Sequence, residues 1–159
     1  MKNRHVLRKS DLENLREKLK PVFGEEVEKT LQGRIETAET EEFNEVILAD
    51  NEPILIKKEG IYIPLIKAAE KLSLKRITVD MGAVPHISDG AHIMAPGIVE
   101  VDENIEREDL VAIEDKKNRK IIAIAKALRE SSSLMGEEGK VAENVHTVGD
   151  KIWEFAEKF

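Results

Sequence analysis

The densest cluster of chemically special residues in this chain is Asp80-Met81-Gly82-Ala83-Val84-Pro85-His86-Ile87-Ser88-Asp89-Gly90-Ala91-His92-Ile93-Met94-Ala95-Pro96-Gly97. Three of the nine glycines and two of the five prolines fall in these 18 residues. Glycine permits positive φ and lets a second backbone approach closely, so the segment reads as a tight, shaped loop. It suits a barrel corner or a groove for a sugar–phosphate chain. The other candidates carry less. His5, His86, His92 and His146 share no metal-ligand spacing such as His-Glu-x-x-His. The absence of cysteine excludes a disulfide framework, a thiolate zinc site, an iron–sulfur cluster and a cysteine nucleophile. Ser131-Ser132-Ser133 has hydroxyls but no nucleophile elbow around it. Neither Gly-x-x-x-x-Gly-Lys-Ser/Thr nor Gly-x-Gly-x-x-Gly occurs. Carboxylate pairs are so frequent that none stands out. These residues define no catalytic constellation, and the expectation is a non-enzymatic binding protein without cofactor or metal.

Such a loop needs a scaffold, and the composition allows one. With 159 residues, 41% hydrophobic and 36% charged, the chain can form one domain or two small ones. At this size folding hides roughly 68–70% of the unfolded surface, enough for a core without staples. The longest apolar run, residues 121–125, is far below the roughly 20 residues that cross a bilayer. No apolar stretch follows the charged Met1-Lys2-Asn3-Arg4-His5. A cytoplasmic protein with no membrane partner is expected, and the high charge and lack of cysteine fit a heat-adapted or archaeal cytoplasm.

The formal charge of −7 argues against bulk polyanion binding, but it is unevenly spread. Residues 1–20 carry +4, 21–60 carry −7, 61–97 carry +1, 98–118 carry −5 and 119–159 are balanced. The acid lies in residues 36–45 and 100–115, which read mainly as solvated faces.

Patterning divides the chain in two. Ser10 and Glu13 have capping-box spacing, and Leu12, Leu15 and Leu19 recur at helical intervals up to Pro21, which is expected to stop the helix. Residues 43–48 and 54–56 read as strands of a hairpin joined through Asp50-Asn51-Glu52-Pro53. Ile61-Tyr62-Ile63-Pro64 leads into a helix over 65–72. From Lys75 onward strands dominate, at 77–79, 98–101, 110–113, 121–125 and 141–148, with helices at 81–88, around 131–137 and after Asp150. The pattern predicts an α+β chain: a small α/β unit at 1–74, then a barrel of mixed strands with short helices at 75–159. No glycine- or serine-rich linker separates them, so direct packing is expected. Trp153 and Phe155 read as an apolar anchor on the last helix.

Three ordered blocks resemble the PUA domain, the module named for pseudouridine synthases and archaeosine transglycosylases. They are Arg76-Ile77-Thr78-Val79-Asp80-x-Gly82-Ala83-Val84, Gly90-Ala91-x-Ile93-Met94-x-Pro96-Gly97, and Gly139-Lys140-x-x-x-Asn144-x-His146-x-x-Gly149-Asp150-x-x-Trp153. Asn51-Glu52-Pro53-Ile54-Leu55-Ile56 and Gly60-Ile61-Tyr62-Ile63-Pro64-Leu65 resemble the pre-PUA domain of the malignant T-cell amplified (MCT) family and of ligatin. Together they resemble an archaeal-type stand-alone member of that family.

The resemblance implies a PUA pseudo-barrel with an RNA-binding groove beside the helix after its first strand. Carried over by position, Gly82, Ala83, Gly90, Ala91, Met94 and Pro96 would build the groove. Lys75 and Arg76 would stand at its mouth, with His86 in the helix and Lys140 and His146 in the last strand facing phosphate or base. The implied ligand is structured RNA, tRNA or rRNA, with the small ribosomal subunit and a density-regulated-protein-like partner in translation initiation or ribosome recycling. Two other classes share these residues: an RNA-binding accessory subunit of a tRNA- or rRNA-modifying enzyme, and a protein-interaction module. The helix itself has no Lys or Arg, so recognition is expected to be led by shape.

Overall fold

A computed structural model describes residues 1–136 and 138–159. It divides into two compact units, Met1–Ser73 with Phe155–Phe159, and Leu74–Glu154.

The first unit is a five-stranded antiparallel sheet, order β1-β2-β3-β4-β5, with β1 Lys2–Val6, β2 Ile35–Glu39, β3 Glu45–Ala49, β4 Glu52–Lys58 and β5 Ile61–Pro64. Helices α1 (Lys9–Phe23) and α2 (Glu26–Thr30) link β1 to β2, and α3 (Ile66–Ala69) follows β5. Side chains alternate across a strand. Val46, Ile47 and Leu48 are nevertheless all 0% exposed, so β3 is covered on both faces. Phe155 meets Phe43 edge to face, ring centroids 5.8 Å apart.

Several expectations for this unit are corrected. No side chain caps α1, whose first residue is Lys9, so Ser10 lies inside the helix. Pro21 does not stop it: Phe23 is buried, and Gly24 N–H closes the last turn on the Lys20 carbonyl at 2.8 Å. The hairpin turn is shorter than expected. Asp50 and Asn51 both have positive φ, 46° and 70°, and their turn matches the right-handed twist of the strands. Glu52 and Pro53 therefore belong to β4, with Pro53 beside an irregularity in the β3–β4 ladder where its missing N–H is tolerated. Residues 61–64 form a strand, and β1 and β2 are additional.

The second unit is a six-stranded mixed sheet, order β7-β11-β10-β9-β6-β8. Its strands are β6 Arg76–Val79, β7 Ile93–Met94, β8 Ile98–Val101, β9 Leu110–Asp115, β10 Ile121–Ala127 and β11 Lys140–Thr147. Only β6–β9 is parallel. The outermost strands, β7 and β8, are joined by a 3₁₀ turn at Ala95–Gly97. Met94 and Ile98 are thus at most roughly 14 Å apart. The edges of a flat six-stranded sheet would be about 24 Å apart. The sheet must curl, and irregular registers in the β6–β8, β9–β10, β10–β11 and β7–β11 pairs supply the bends. Ala123, Ala125 and Ala127 on β10 are all 0% exposed, small residues in a core shared with Ile77, Ile93, Ile113 and Leu134.

Helix α4 spans Val84–Ser88, shorter than the expected 81–88, and α5 (Lys151–Glu157) follows Asp150. The helix expected around 131–137 is a single 3₁₀ turn at Ser131–Ser133; Glu137 lies outside the described residues. The fold is α+β, with a curled mixed sheet as expected.

Ile113 is 0% exposed in β9. Ile113→Ala should lower the unfolding free energy by about 2–5 kcal/mol, read by denaturant melting.

Candidate nucleic-acid interface

The loop segment is held by its own backbone. Asp80 N–H donates to the Gly97 carbonyl at 2.9 Å, and Asp80 Oδ1 accepts from Ala83 N–H at 2.9 Å. The 3₁₀ turn passes so close to the start of α4 that a Cβ on Gly97 would lie 3.0 Å from the Ala83 Cβ. Helix α4 ends where Gly90 takes φ +97° and donates to the Ile87 carbonyl at 2.9 Å, and Ala91 N–H donates to the His86 carbonyl at 3.0 Å.

Asn144 then ties this loop to β11. Its Nδ2 donates to the carbonyls of Ile87 (3.1 Å) and Ala91 (3.0 Å), and its backbone N–H donates to His92 Nδ1 at 3.0 Å. The Asn144 side chain was absent from the sequence-based site. Its signal was an amide residue, poor in strands, inside an otherwise β-forming motif.

The result is one continuous face. His86, Gly90, Ala91, Pro96 and Lys140 are exposed, Met94 is 49% exposed, and the β7–β11 register sets Met94 opposite Lys140. Gly82 is exposed and Ala83 half-buried at the start of α4. Small residues leave backbone accessible, Met94 and Pro96 add apolar surface, and Lys140 adds one cation. Such a face can seat a nucleic-acid backbone and unstacked bases.

Three expected residues lie elsewhere. Lys75 and Arg76 stand at the start of β6, the opposite end of that strand from α4. Lys75 Nζ donates to the Asn104 carbonyl at 2.5 Å and lies 3.8 Å from Asp109, while Arg76 Nη1 lies 3.7 Å from the buried Glu114. Local acid has drawn both cations into the 98–118 region. His146, expected to face phosphate or base, is 1% exposed because its Nδ1 lies 2.9 Å from Asp150 Oδ2.

Asp150 organises the start of α5. Its carboxylate also accepts N–H groups from Thr147 and Trp153, both at 2.8 Å. Burial pushes the Asp150 carboxyl upward, but the His146 hydrogen bond and charge with the two backbone donors outweigh it, leaving the carboxyl below its ordinary value of 3.8.

The second unit is therefore a PUA-type pseudo-barrel carrying an exposed loop-and-strand face. A PUA domain model matches residues 75–149, and a model described as domain of unknown function DUF1947 matches residues 3–72. An uncharacterized protein of Methanocaldococcus jannaschii is 39% identical, with 98% of each chain covered. The crystal structure of a hypothetical protein from Pyrococcus horikoshii superposes with a TM-score of 0.83 at 35% identity, covering 96% of this chain and 99% of that one. Translation machinery-associated protein 20 of Saccharomyces cerevisiae is 25% identical over 87% of this chain and 81% of its own. The chain belongs to the archaeal-type PUA family, related to the MCT proteins, that carries a DUF1947 (pre-PUA) region ahead of the PUA domain.

Because the folded carboxyl of Asp150 is depressed, its stabilisation is complete above the unfolded value and is lost as pH falls through the folded one. Asp150→Ala should cost about 1–3 kcal/mol at neutral pH. The gap from the parent chain should narrow below about pH 4, measured by thermal melts across pH.

Proposed function

We propose that this protein binds structured RNA, tRNA or small-subunit rRNA, through the α4–β7–β11 face and serves the translation machinery without catalysing a reaction. The observation that carries this reading is the exposed stretch of small residues at 90–91, locked by Asn144 and flanked by Met94 and Lys140. A PUA family membership and the translation-associated yeast relative support it. We assign the RNA contact to a PUA domain over 75–159 and a supporting role to the pre-PUA domain over 1–74, in the cytoplasm, with the small ribosomal subunit and a density-regulated-protein-like protein as partners. Lys140 meets phosphate, Met94 and Pro96 carry an unstacked base, and His86 offers a ring nitrogen to a base edge.

Lys140→Glu should weaken labelled tRNA or small-subunit binding about tenfold, read by fluorescence anisotropy, because one charge-assisted phosphate contact becomes a repulsion. Lys58→Glu, on the first unit, should change it less than twofold. Lys58 is a cleaner control than Lys57, whose Nζ lies 5.2 Å from the Tyr62 ring centroid. Equal losses at Lys58 and Lys140 would misplace the site.

With few cations on the face, log K should fall with log salt at a slope of only about −1 to −2. Salt-insensitive or absent association with both RNAs would refute the reading.

A further inference from the structure

A second concavity of the Leu74–Glu154 unit shares no lining residue with the α4–β7–β11 face. It is an open cleft of about 800 Å³ between residues 104–107 and 129–133. This is within the roughly 300–1,000 Å³ range of small-molecule sites. Its walls are fixed. Ser131 Oγ accepts from Ile105 N–H at 2.7 Å and donates to the Asp102 carbonyl at 2.9 Å, and Ser131 N–H donates to the Ile105 carbonyl at 2.9 Å. Ile105 and Leu134 anchor the two walls in the core, 2% and 0% exposed. The loop between β8 and β9 also holds two non-glycine residues in left-handed conformations, Asn104 at φ 66° and Glu108 at φ 78°. Such strain persists where surroundings over-determine the backbone.

The lining is mixed in charge in a way that selects a ligand. Arg107, Arg129, Glu106, Glu130, Ser132 and Ser133 line it, with Ser132 Oγ donating to Glu130 Oε1 at 3.4 Å. Arg107 is exposed and has no carboxylate partner among the described residues. Arg129 is half-buried and oriented by its Nη2 bond to the Glu138 carbonyl at 3.4 Å. Guanidinium forks and hydroxyls match phosphate oxygens. Carboxylates accept from vicinal hydroxyls, so a simple anion would leave Glu106 and Glu130 opposed to it, whereas a ribonucleotide uses both signs.

We propose that this cleft binds a ribonucleotide, its phosphate held by Arg107 and Arg129 and its ribose hydroxyls by Glu106 or Glu130. The nucleotide comes either free from solution or as an unstacked nucleotide of a bound RNA. Only the second source rests on the RNA-binding reading.

The test is an NMR titration of the isotope-labelled full chain with AMP, adenosine and inorganic phosphate. AMP should shift the amides of residues 104–107 and 129–133, and adenosine should bind about tenfold more weakly, since it lacks the charge-assisted contacts. Arg107→Glu should weaken AMP about tenfold with the rest of the spectrum unchanged, and Arg107→Lys should lose less. Unmoved amides at millimolar AMP, equal binding of adenosine, or an unchanged response in Arg107→Glu would overturn the proposal. A single-stranded RNA that displaces AMP identifies the polymer as source, and one that does not identifies the free nucleotide; both outcomes support the cleft. If Lys140→Glu leaves RNA binding intact while AMP still shifts these amides, the RNA face is refuted and the cleft stands. The reverse pattern refutes the cleft alone.

Discussion

The short span between β7 and β8 constrains everything in the second unit. Two edge strands joined by Ala95–Gly97 cannot belong to a flat sheet, so the six strands curl and their irregular registers become necessary. The same turn presses against α4, where a Cβ at position 97 would sit 3.0 Å from that of Ala83, tighter than ordinary contact. The Asp80–Gly97 hydrogen bond then closes the loop at its base, and Asn144 closes it at the tip. The exposed small residues follow from this closure whether or not they also meet a ligand. A corner and a groove, the two meanings of a glycine-rich segment, are here one piece of backbone.

Charge follows a different logic. The acidic runs do not all face solvent: Glu36 is buried and paired with Arg4 at 2.9 Å and Arg34 at 3.4 Å, and Glu114 is buried beside Arg76 and Arg119, each at 3.7 Å. Arg119 also reaches Glu100 at 2.7 Å across the β8–β6–β9 surface. Arg4, Arg34, Arg76 and Arg119 are thus consumed locally. Lys140 has no such neighbour at its register partner, Met94. On the proposed reading its contribution to an interface would exceed what the net charge of −7 suggests, because among the described residues no ion pair screens it.

Alternation in β6 and apolar runs in β8, β9, β10 and β11 identified these strands nearly at their observed positions, because each is four or more residues long. β7 has two residues, too few for any period to register, yet it supplies Met94 and the pairing with Lys140. β1 is exposed along its length, so burial leaves no pattern in it; its place comes from pairing with β2 and the Arg4–Glu36 contact. The glycine-rich segment was visible from composition and its exposed residues from motif position. The positions of Lys75, Arg76 and His146 were not, since strand direction and side-chain partners decide them. A motif fixes which residues are neighbours in the chain, whereas only the fold shows His146 turned inward onto the Asp150 carboxylate.

That distinction bears on how an acidic chain handles RNA. A basic stripe would bind any polyanion, with affinity set by counterion release. The α4–β7–β11 face instead offers one lysine, exposed backbone and apolar surface, so a bound strand must match its contour to gain anything. Away from this face, the net negative charge of the 98–118 region would oppose polymers that do not, the Arg107 cleft excepted. Negative charge outside the face, with Arg76 and Arg119 held by Glu114, would on the proposed reading raise selectivity by penalising nonspecific contact more than the specific one. On the RNA-binding reading proposed above, the acidity that first argues against nucleic acid would favour a particular folded RNA over bulk polyanion.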